Sequence, residues 1–319
     1  MRRIGVVTAG GDAPGMNAAI RAIVRSAIHH GLEVIGIERG YAGLIEGRYR
    51  ILDRRSVGGI INLGGTILRS IRSEEIKTDE GIQRAADFLK SIGIEGLVTI
   101  GGDGTFKGAS RLYRVSGIPI IGIPATIDND VAGTDTTIGF DTAVNVAVNA
   151  IDKIRDTATS HERTFVIEVM GRRRGFIALE VGLAGGAEVV LIPEIKVDLD
   201  RVCDIIMEDR REGKVSSIVV MAEGAGDSRH VANYIASKTG QEVRLTVLGH
   251  IQRGGSPTAR SRILACEFGH KAIELLLTGE KKRMVGIRGS EITSVDLDYS
   301  WMVEKELDLS RYKLIEILK

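Results

Sequence analysis

The chain has 319 residues, of which 43% are hydrophobic, 27% charged and 4% aromatic, and its formal net charge is +1. That length holds two ordinary domains with sizeable cores, and a near-neutral balance with few aromatics argues against a nucleic-acid binder that stacks bases. Two cysteines, Cys203 and Cys266, are too few for a disulfide framework and lack metal-ligand spacing, which points to a reducing compartment. No run approaches the ~20 apolar residues of a membrane span, and the opening Met1, Arg2, Arg3 leads straight into a strand rather than a signal peptide. The expectation is a soluble, cytoplasmic protein with no membrane or nucleic-acid partner.

Ile4 to Thr8 reads as a short buried strand, and Gly10 to Asn17 (GGDAPGMN) as its exit loop. The helix that follows carries Ile20, Ile23, Val24, Ala27 and Ile28 on one face, with Arg21 and Arg25 four apart on another. Gly10 and Gly15 have the spacing of P-loop glycines, but Met16 and Asn17 stand where that motif needs Lys and Ser or Thr. A P-loop is excluded and a different phosphate cradle retained. Glu33 to Ile37 is the next strand, Tyr41 sits in a further glycine loop, and Arg54 and Arg55 make an anion site thinkable alongside a plain solvated surface. Gly64 to Lys77 is a loop in which Arg72 is the natural clamp for a phosphoryl group, because the guanidinium is a rigid fork of donors. Thr78 to Ile92 is a helix.

The central stretch runs from Leu97 to Asp130. Two Val- and Ile-rich runs, at Leu97 and at Ile118 to Ile123, stop at glycines and acids, as buried parallel strands do when they deliver loops to one sheet edge. Gly101, Gly102 and Gly104 suit a close backbone approach to phosphate, while Asp103 has the wrong charge for phosphate and the right one for Mg²⁺. Just beyond the second strand lie Pro124, Thr126, Asp128 and Asp130. Asp128 and Asp130 flank an Asn and supply a general base beside the metal acid. The EF-hand pattern is excluded, because its closing Glu is missing.

Phe140 to Thr157 reads as a helix buried between layers or domains. Thr164 to Val169 is a strand that exits into Met170, Gly171, Arg172, Arg173 and Arg174, a basic loop that calls for an anion. Further strand and helix units follow at Val189 to Ile192, Leu199 to Arg211, Ser217 to Ala222 and near Val231, with Glu188, Glu194 and Glu223 at strand ends. The strand Glu242 to Leu248 leads to His250 and Arg253 among glycines. Thr258 to Leu277 is a helix, Met284 to Ile287 and Ile292 to Val295 a strand pair, and Trp301 to Leu318 one closing charged helix. This alternation means two doubly wound three-layer α/β/α domains with mainly parallel sheets. Several glycine loops, one or two Mg²⁺-suited acids, a base and scattered arginines fit phosphoryl transfer.

In this order and at these intervals, GGDAPGMNA, GGDGT, PATIDND, SHER, MGRRRG, AEG and GHIQRGG resemble the bacterial ATP-dependent 6-phosphofructokinases along essentially the whole chain. The resemblance implies transfer of the ATP γ-phosphoryl group to the 1-hydroxyl of fructose 6-phosphate in a homotetramer. It implies an ATP-binding domain of residues 1–138 plus about 252–300, and a sugar-phosphate domain of 139–251 plus about 301–319. Asp128 is then the base, with Thr126 beside it, and Arg72 and Arg172 stabilise transition-state charge. Gly11, Arg72, Ser73, Gly102, Asp103, Gly104 and Thr105 line the ATP site, and Asp103 holds Mg²⁺ with Asp130 in support. Thr126, Ile127, Asp128, Met170, Gly171, Arg172, Glu223, His250, Ile251 and Gln252 belong to the sugar, and Arg253 to its 6-phosphate. Arg163 and Arg244 reach that phosphate from a neighbouring subunit.

Relatives that use pyrophosphate carry an Asp where this chain has Gly104 and a Lys where it has Ala125, so ATP is the expected donor and pyrophosphate the alternative. A non-catalytic nucleotide sensor is the other alternative, and the presence of Asp103 and Asp128 speaks against it. The family's effector site, for ADP or phosphoenolpyruvate, maps to Arg21, Arg25, Arg54, Arg155, Gly186, Glu188, Arg211, Glu212, Lys214 and Ser216. Two of these depart from the family pattern: Glu212 replaces an arginine and Ser216 a histidine. Altered effector control is expected.

Overall fold

The computed structural model describes all 319 residues. Contacts divide the chain into two units, residues 1–142 with 253–305, and residues 143–252 with 306–319. No helix is long and apolar enough to cross a membrane.

The first unit opens with β1 (Arg3–Thr8), α1 (Met16–His29), β2 (Glu33–Ile37), α2 (Gly40–Glu46) and β3 (Tyr49–Leu52). It continues through α3 (Asp79–Ser91), β4 (Gly96–Gly101), α4 (Asp103–Ser116), β5 (Ile120–Thr126) and β6 (Ile138–Gly139). The helix α5 (Phe140–Ser160) leads to β7 (Thr164–Val169), α6 (Phe176–Ala184), β8 (Val189–Leu191), α7 (Leu199–Arg211), β9 (Ser217–Ala222), α8 (Ser228–Thr239) and β10 (Val243–Val247). The chain then forms α9 (Ala259–Leu277), the hairpin β11 (Lys282–Arg288) and β12 (Glu291–Asp296), α10 (Tyr299–Met302) and α11 (Ser310–Leu318).

The first unit's sheet runs β12-β11-β5-β4-β1-β2-β3, with β6 added beside β5. It is parallel except at its edges, where β2 pairs with β3 and β11 with β12 antiparallel. Central strands buried on both faces must be apolar throughout, and β4 and β5 are buried almost from end to end. One face packs α2, α3 and α4, through Leu44, Ile82, Leu89, Phe106 and Leu112. Full burial of a side chain such as Phe106 contributes roughly 1.5–3 kcal/mol. On the other face α1 packs along α9. The second unit is a four-stranded parallel sheet, β10-β7-β9-β8. Its core joins Val166, Leu191, Val219 and Met221 to Val202, Ile206 and Ile235 of α7 and α8.

Four expectations are corrected, and two elements are added. Strand β5 runs on through Pro124 to Thr126, because β6 pairs with its last two residues. Tyr41 is in the first turn of α2 rather than in a loop, and its buried hydroxyl donates to the Thr105 carbonyl at 2.5 Å. The helix α5 is buried along one stripe only, at Ala143, Ala147, Ile151 and Ala158, while Val144, Val146 and Val148 are less buried. The closing helix is broken: α10 ends at Met302, residues 303–309 are non-helical, and α11 begins at Ser310. Strand β3 and helix α6 are additional elements. The first is an exposed edge strand, and the second is apolar on nearly every side, so neither carries a periodic signal.

Candidate active site

Strands β4 and β5 lie side by side, with Gly101 opposite Pro124. Their exits therefore meet, and a Cβ placed on Gly102 would stand 3.8 Å from the Thr126 Cβ. The expected convergence of the GGDG and TIDND loops is present. A side chain at Gly101 would come within 2.4 Å of the Ala9 carbonyl, so only glycine permits β1 and β4 to exit this close together. Thr105 closes the same corner by donating its hydroxyl to Ala9 O at 2.8 Å.

Asp103 and Gly104 form the first turn of α4, where the helix dipole and the first-turn amides favour an anion. Nothing lies within 4 Å of a Cβ at Gly104, which leaves open space in front of that turn. Arg72 is exposed, and the Ser73 hydroxyl accepts from Ile76 N at 3.3 Å. The loop before them is pinned by Asn17, whose amide donates to Leu63 O and Gly64 O and whose Oδ1 accepts from Ile67 N at 2.7 Å. The residue that rules out a P-loop is thus a buried bracket for the loop that carries Arg72. Gly11 lies against Arg253, whose Nη1 donates to Asp12 O at 3.4 Å.

Asp128 is 2% exposed. Its backbone N–H donates to the Thr126 hydroxyl at 3.2 Å. Asn129 next to it has a φ of 54°, the left-handed region that Asn tolerates better than most residues. Its side chain explains why the turn holds. Oδ1 accepts from Thr137 N at 3.1 Å and from Lys305 Nζ at 2.9 Å, and Nδ2 donates to Asp135 O at 3.2 Å. The Thr137 hydroxyl donates to Thr126 O at 2.6 Å. Asn129, Thr137 and Lys305 are supports that sequence reasoning missed. An Asn between two acids was the only available signal for any of them.

The second unit gathers another group. Glu223 Oε1 accepts from Gly171 N at 3.2 Å and Arg172 N at 2.7 Å, and the fully buried Gln252 accepts from Met170 N at 2.8 Å. Glu223 and Gln252 therefore shape the Met170–Arg172 loop. His250 and Ile251 are exposed beside Gln252, and Ile127 is wholly buried in the first unit. Of the three consecutive arginines, Arg174 pairs with Glu194 at 3.1 Å and lies over the Phe176 ring, so its charge has a structural partner. Arg172 and Arg173 are exposed.

Arg163 and Arg244 both pair with Glu242, the first at 2.7 Å. Arg163 holds the Glu242 carboxyl below its ordinary range, with a further contribution from Arg244. Among the effector-assigned residues, Glu188 is 5% exposed and accepts from Ile218 N at 2.6 Å, while Lys214 and Arg155 approach it at 3.3 and 3.9 Å. Arg155 also donates to the carbonyls of Gly185 and Gly186, and Ser216 meets Thr159 at 3.4 Å. Arg211 and Glu212 are exposed at the end of α7, and Arg21, Arg25 and Arg54 belong to the first unit.

A helix start, an acid and a buried carboxylate at adjoining strand ends are compatible with a phosphotransferase-type α/β protein. A family profile described as phosphofructokinase matches residues 3–276, and the chain belongs to that family. It is 56% identical to the ATP-dependent 6-phosphofructokinase of Halothermothrix orenii over 100% of this chain and 99% of that one. With the ATP-dependent 6-phosphofructokinase of Clostridium tetani the identity is 53%, over the same shares. Among solved structures, phosphofructokinase from Saccharomyces cerevisiae superposes with a TM-score of 0.89 at 35% identity, covering 95% of this chain and 45% of that one. A pyrophosphate-dependent phosphofructokinase from Marinobacter aquaeolei has a TM-score of 0.87 at 23% identity, covering 97% and 86%, and shares the fold.

Proposed function

We infer that this chain is an ATP-dependent 6-phosphofructokinase of glycolysis, moving the γ-phosphoryl group of ATP to the 1-hydroxyl of fructose 6-phosphate and giving fructose 1,6-bisphosphate and ADP. The observation that carries this is the 56% identity over full length to a relative of that name. Phosphoryl transfer asks a protein for positioning and charge neutralisation. In the proposed mechanism the first turn of α4, with Gly11, Arg72 and Ser73, holds the nucleotide phosphates. Asp128 takes the proton of the attacking hydroxyl, with Thr126 orienting the turn. Met170, Gly171, Arg172, His250, Ile251 and Arg253 bind the sugar phosphate, and Arg72 and Arg172 face the charge that develops in transfer. Ile127, Glu223 and Gln252 complete the proposed sugar site, and Glu223 and Gln252 also accept from the main-chain amides of Gly171, Arg172 and Met170.

Mg²⁺ fits the first unit's donors. No group of three or more His, Cys, Asp or Glu residues is placed to cage a metal ion, but Asp103 offers one carboxylate where phosphate oxygens would arrive. Mg²⁺ is usually held by one or two carboxylates with phosphates and waters. Asp103 would hold it, with Asp130 in support, and the bound ion would neutralise charge on the phosphate oxygens.

Residues 1–142 with 253–305 are the proposed nucleotide unit, and the remainder the sugar-phosphate unit. The half-buried Arg163, just before β7, and the exposed Arg244, on the edge strand β10, are consistent with a homotetramer in which they serve a neighbour's substrate phosphate. Glu212 supports weak or altered control by ADP and phosphoenolpyruvate, because it reverses a charge against a bound phosphate. The space in front of Gly104 supports ATP over pyrophosphate, since an Asp there would obstruct and repel the α-phosphate. The test is initial rates from fructose 6-phosphate and Mg²⁺ with ATP or pyrophosphate, with and without phosphoenolpyruvate. Turnover with ATP alone, little affected by micromolar phosphoenolpyruvate, is expected. Turnover with pyrophosphate alone would overturn the donor, and strong inhibition would overturn the effector reading.

A further inference from the structure

Lys305 lies in the non-helical stretch after α10, far along the chain from the turn it touches. Its Nζ donates to Asn129 Oδ1 and to the Asp135 carbonyl, both at 2.9 Å. The Asn129 Nδ2 donates to the same carbonyl at 3.2 Å, so the ammonium and the amide are tied to each other and to one shared acceptor. The brace has a purpose at Asn129, whose left-handed φ of 54° turns the chain immediately after Asp128. A residue in a sparsely populated backbone region keeps it only when its surroundings over-determine it. Here the Thr137 amide and the Lys305 ammonium both restrain the Asn129 side-chain oxygen. Burial pushes the Lys305 amine down to about 8, against the pull of Asp135 and Asp130. A long lysine stem reaches open solvent easily, and a site that withdraws the ammonium from water uses its donors instead.

We propose that Lys305 is a positioning residue for phosphoryl transfer, holding the Thr126–Asp130 turn through Asn129 so that Asp128 faces the sugar hydroxyl. This rests on the phosphofructokinase reading above. It predicts an effect on the chemical step rather than on binding, since Lys305 touches neither substrate in that reading.

The experiment compares wild type, Lys305→Met and Lys305→Cys in steady state, together with hydrogen exchange of peptides covering residues 126–137. Misplacement of a reacting group by about 1 Å can lower a rate by ~10²-fold. Both variants should accordingly lose about 10- to 100-fold in kcat, with KM for ATP and fructose 6-phosphate within about twofold of wild type. Alkylating the thiol introduced by Lys305→Cys with bromoethylamine restores an ammonium at nearly the same reach, and should restore most of kcat; treated wild type controls for Cys203 and Cys266. Exchange at 126–137 should quicken in Lys305→Met while other segments stay unchanged. Wild-type kcat in Lys305→Met, unaltered exchange, or a joint collapse of kcat and both KM values that aminoethylation does not reverse would each overturn the proposal. So would failure of both variants to fold, because the lysine would then be structural. Absence of turnover in wild type would sink the functional reading instead, and exchange would still report on the brace.

Discussion

Asp128 and the Arg163–Glu242–Arg244 group handle charge in opposite ways. The first is a carboxylate, 2% exposed, in a turn held by Thr126, Asn129, Thr137 and Lys305. The second is a cluster at the sheet edge, where two arginines share one exposed carboxylate. Burying an acid costs free energy unless it is hydrogen-bonded or paired, and in the proposed function the bonds of this turn fix the geometry of the reacting group. Ion pairs open to solvent contribute little to stability, so in the proposed function the arginines can exchange Glu242 for an incoming phosphate. In the proposed function, the contrast separates a residue that acts on a bond from residues that recognise a charge.

The largest effect is expected at the buried turn. Asp128→Asn keeps the side chain's shape and removes its basicity, so kcat should fall by ~10²- to 10⁴-fold, the usual contribution of a general base. Substrate dissociation constants, measured by calorimetry, should hardly move. A smaller effect of another kind is expected at the sheet edge. Arg244→Ala should raise KM for fructose 6-phosphate by roughly 10- to 100-fold, the range for a lost charge-assisted hydrogen bond, with KM for ATP little changed. The smallest concerns Glu242. Because Arg163 lowers its folded-state pKa, Glu242 stays ionised at neutral pH and gives up its pairing only as pH falls through that lowered value. At pH 7 it competes with a phosphate for the arginines, so Glu242→Gln should lower KM for fructose 6-phosphate by about two- to fivefold. A rise in KM would instead make Glu242 the residue that aims them.

Much of the fold was legible because buried parallel strands leave a strong local signature: apolar runs at Leu97 and Thr164 ending in glycine loops are β4 and β7. Elements without periodicity escaped, as the edge strand β3 and the apolar α6 did. The break in the closing helix near Val303 was hidden by good helix formers on both sides, and a local reading does not register that Lys305 is drawn to a turn formed by distant residues. The site followed the same division. GGDG and TIDND could be read as strand exits, and their meeting follows from the pairing of β4 and β5. Asn17 could be read only as the wrong residue for a P-loop, although it is the bracket that holds Leu63, Gly64 and Ile67. A role defined by a partner many residues away becomes visible only in the folded chain.

The separation of chemistry from recognition is tested most directly by steady-state kinetics of Asp128→Asn and Arg244→Ala side by side, with ATP, Mg²⁺ and varied fructose 6-phosphate. The first variant should lose kcat at nearly unchanged KM, while the second should gain KM and retain most of its kcat. Near-normal kcat in Asp128→Asn, or a loss in Arg244→Ala confined to kcat, would contradict that separation.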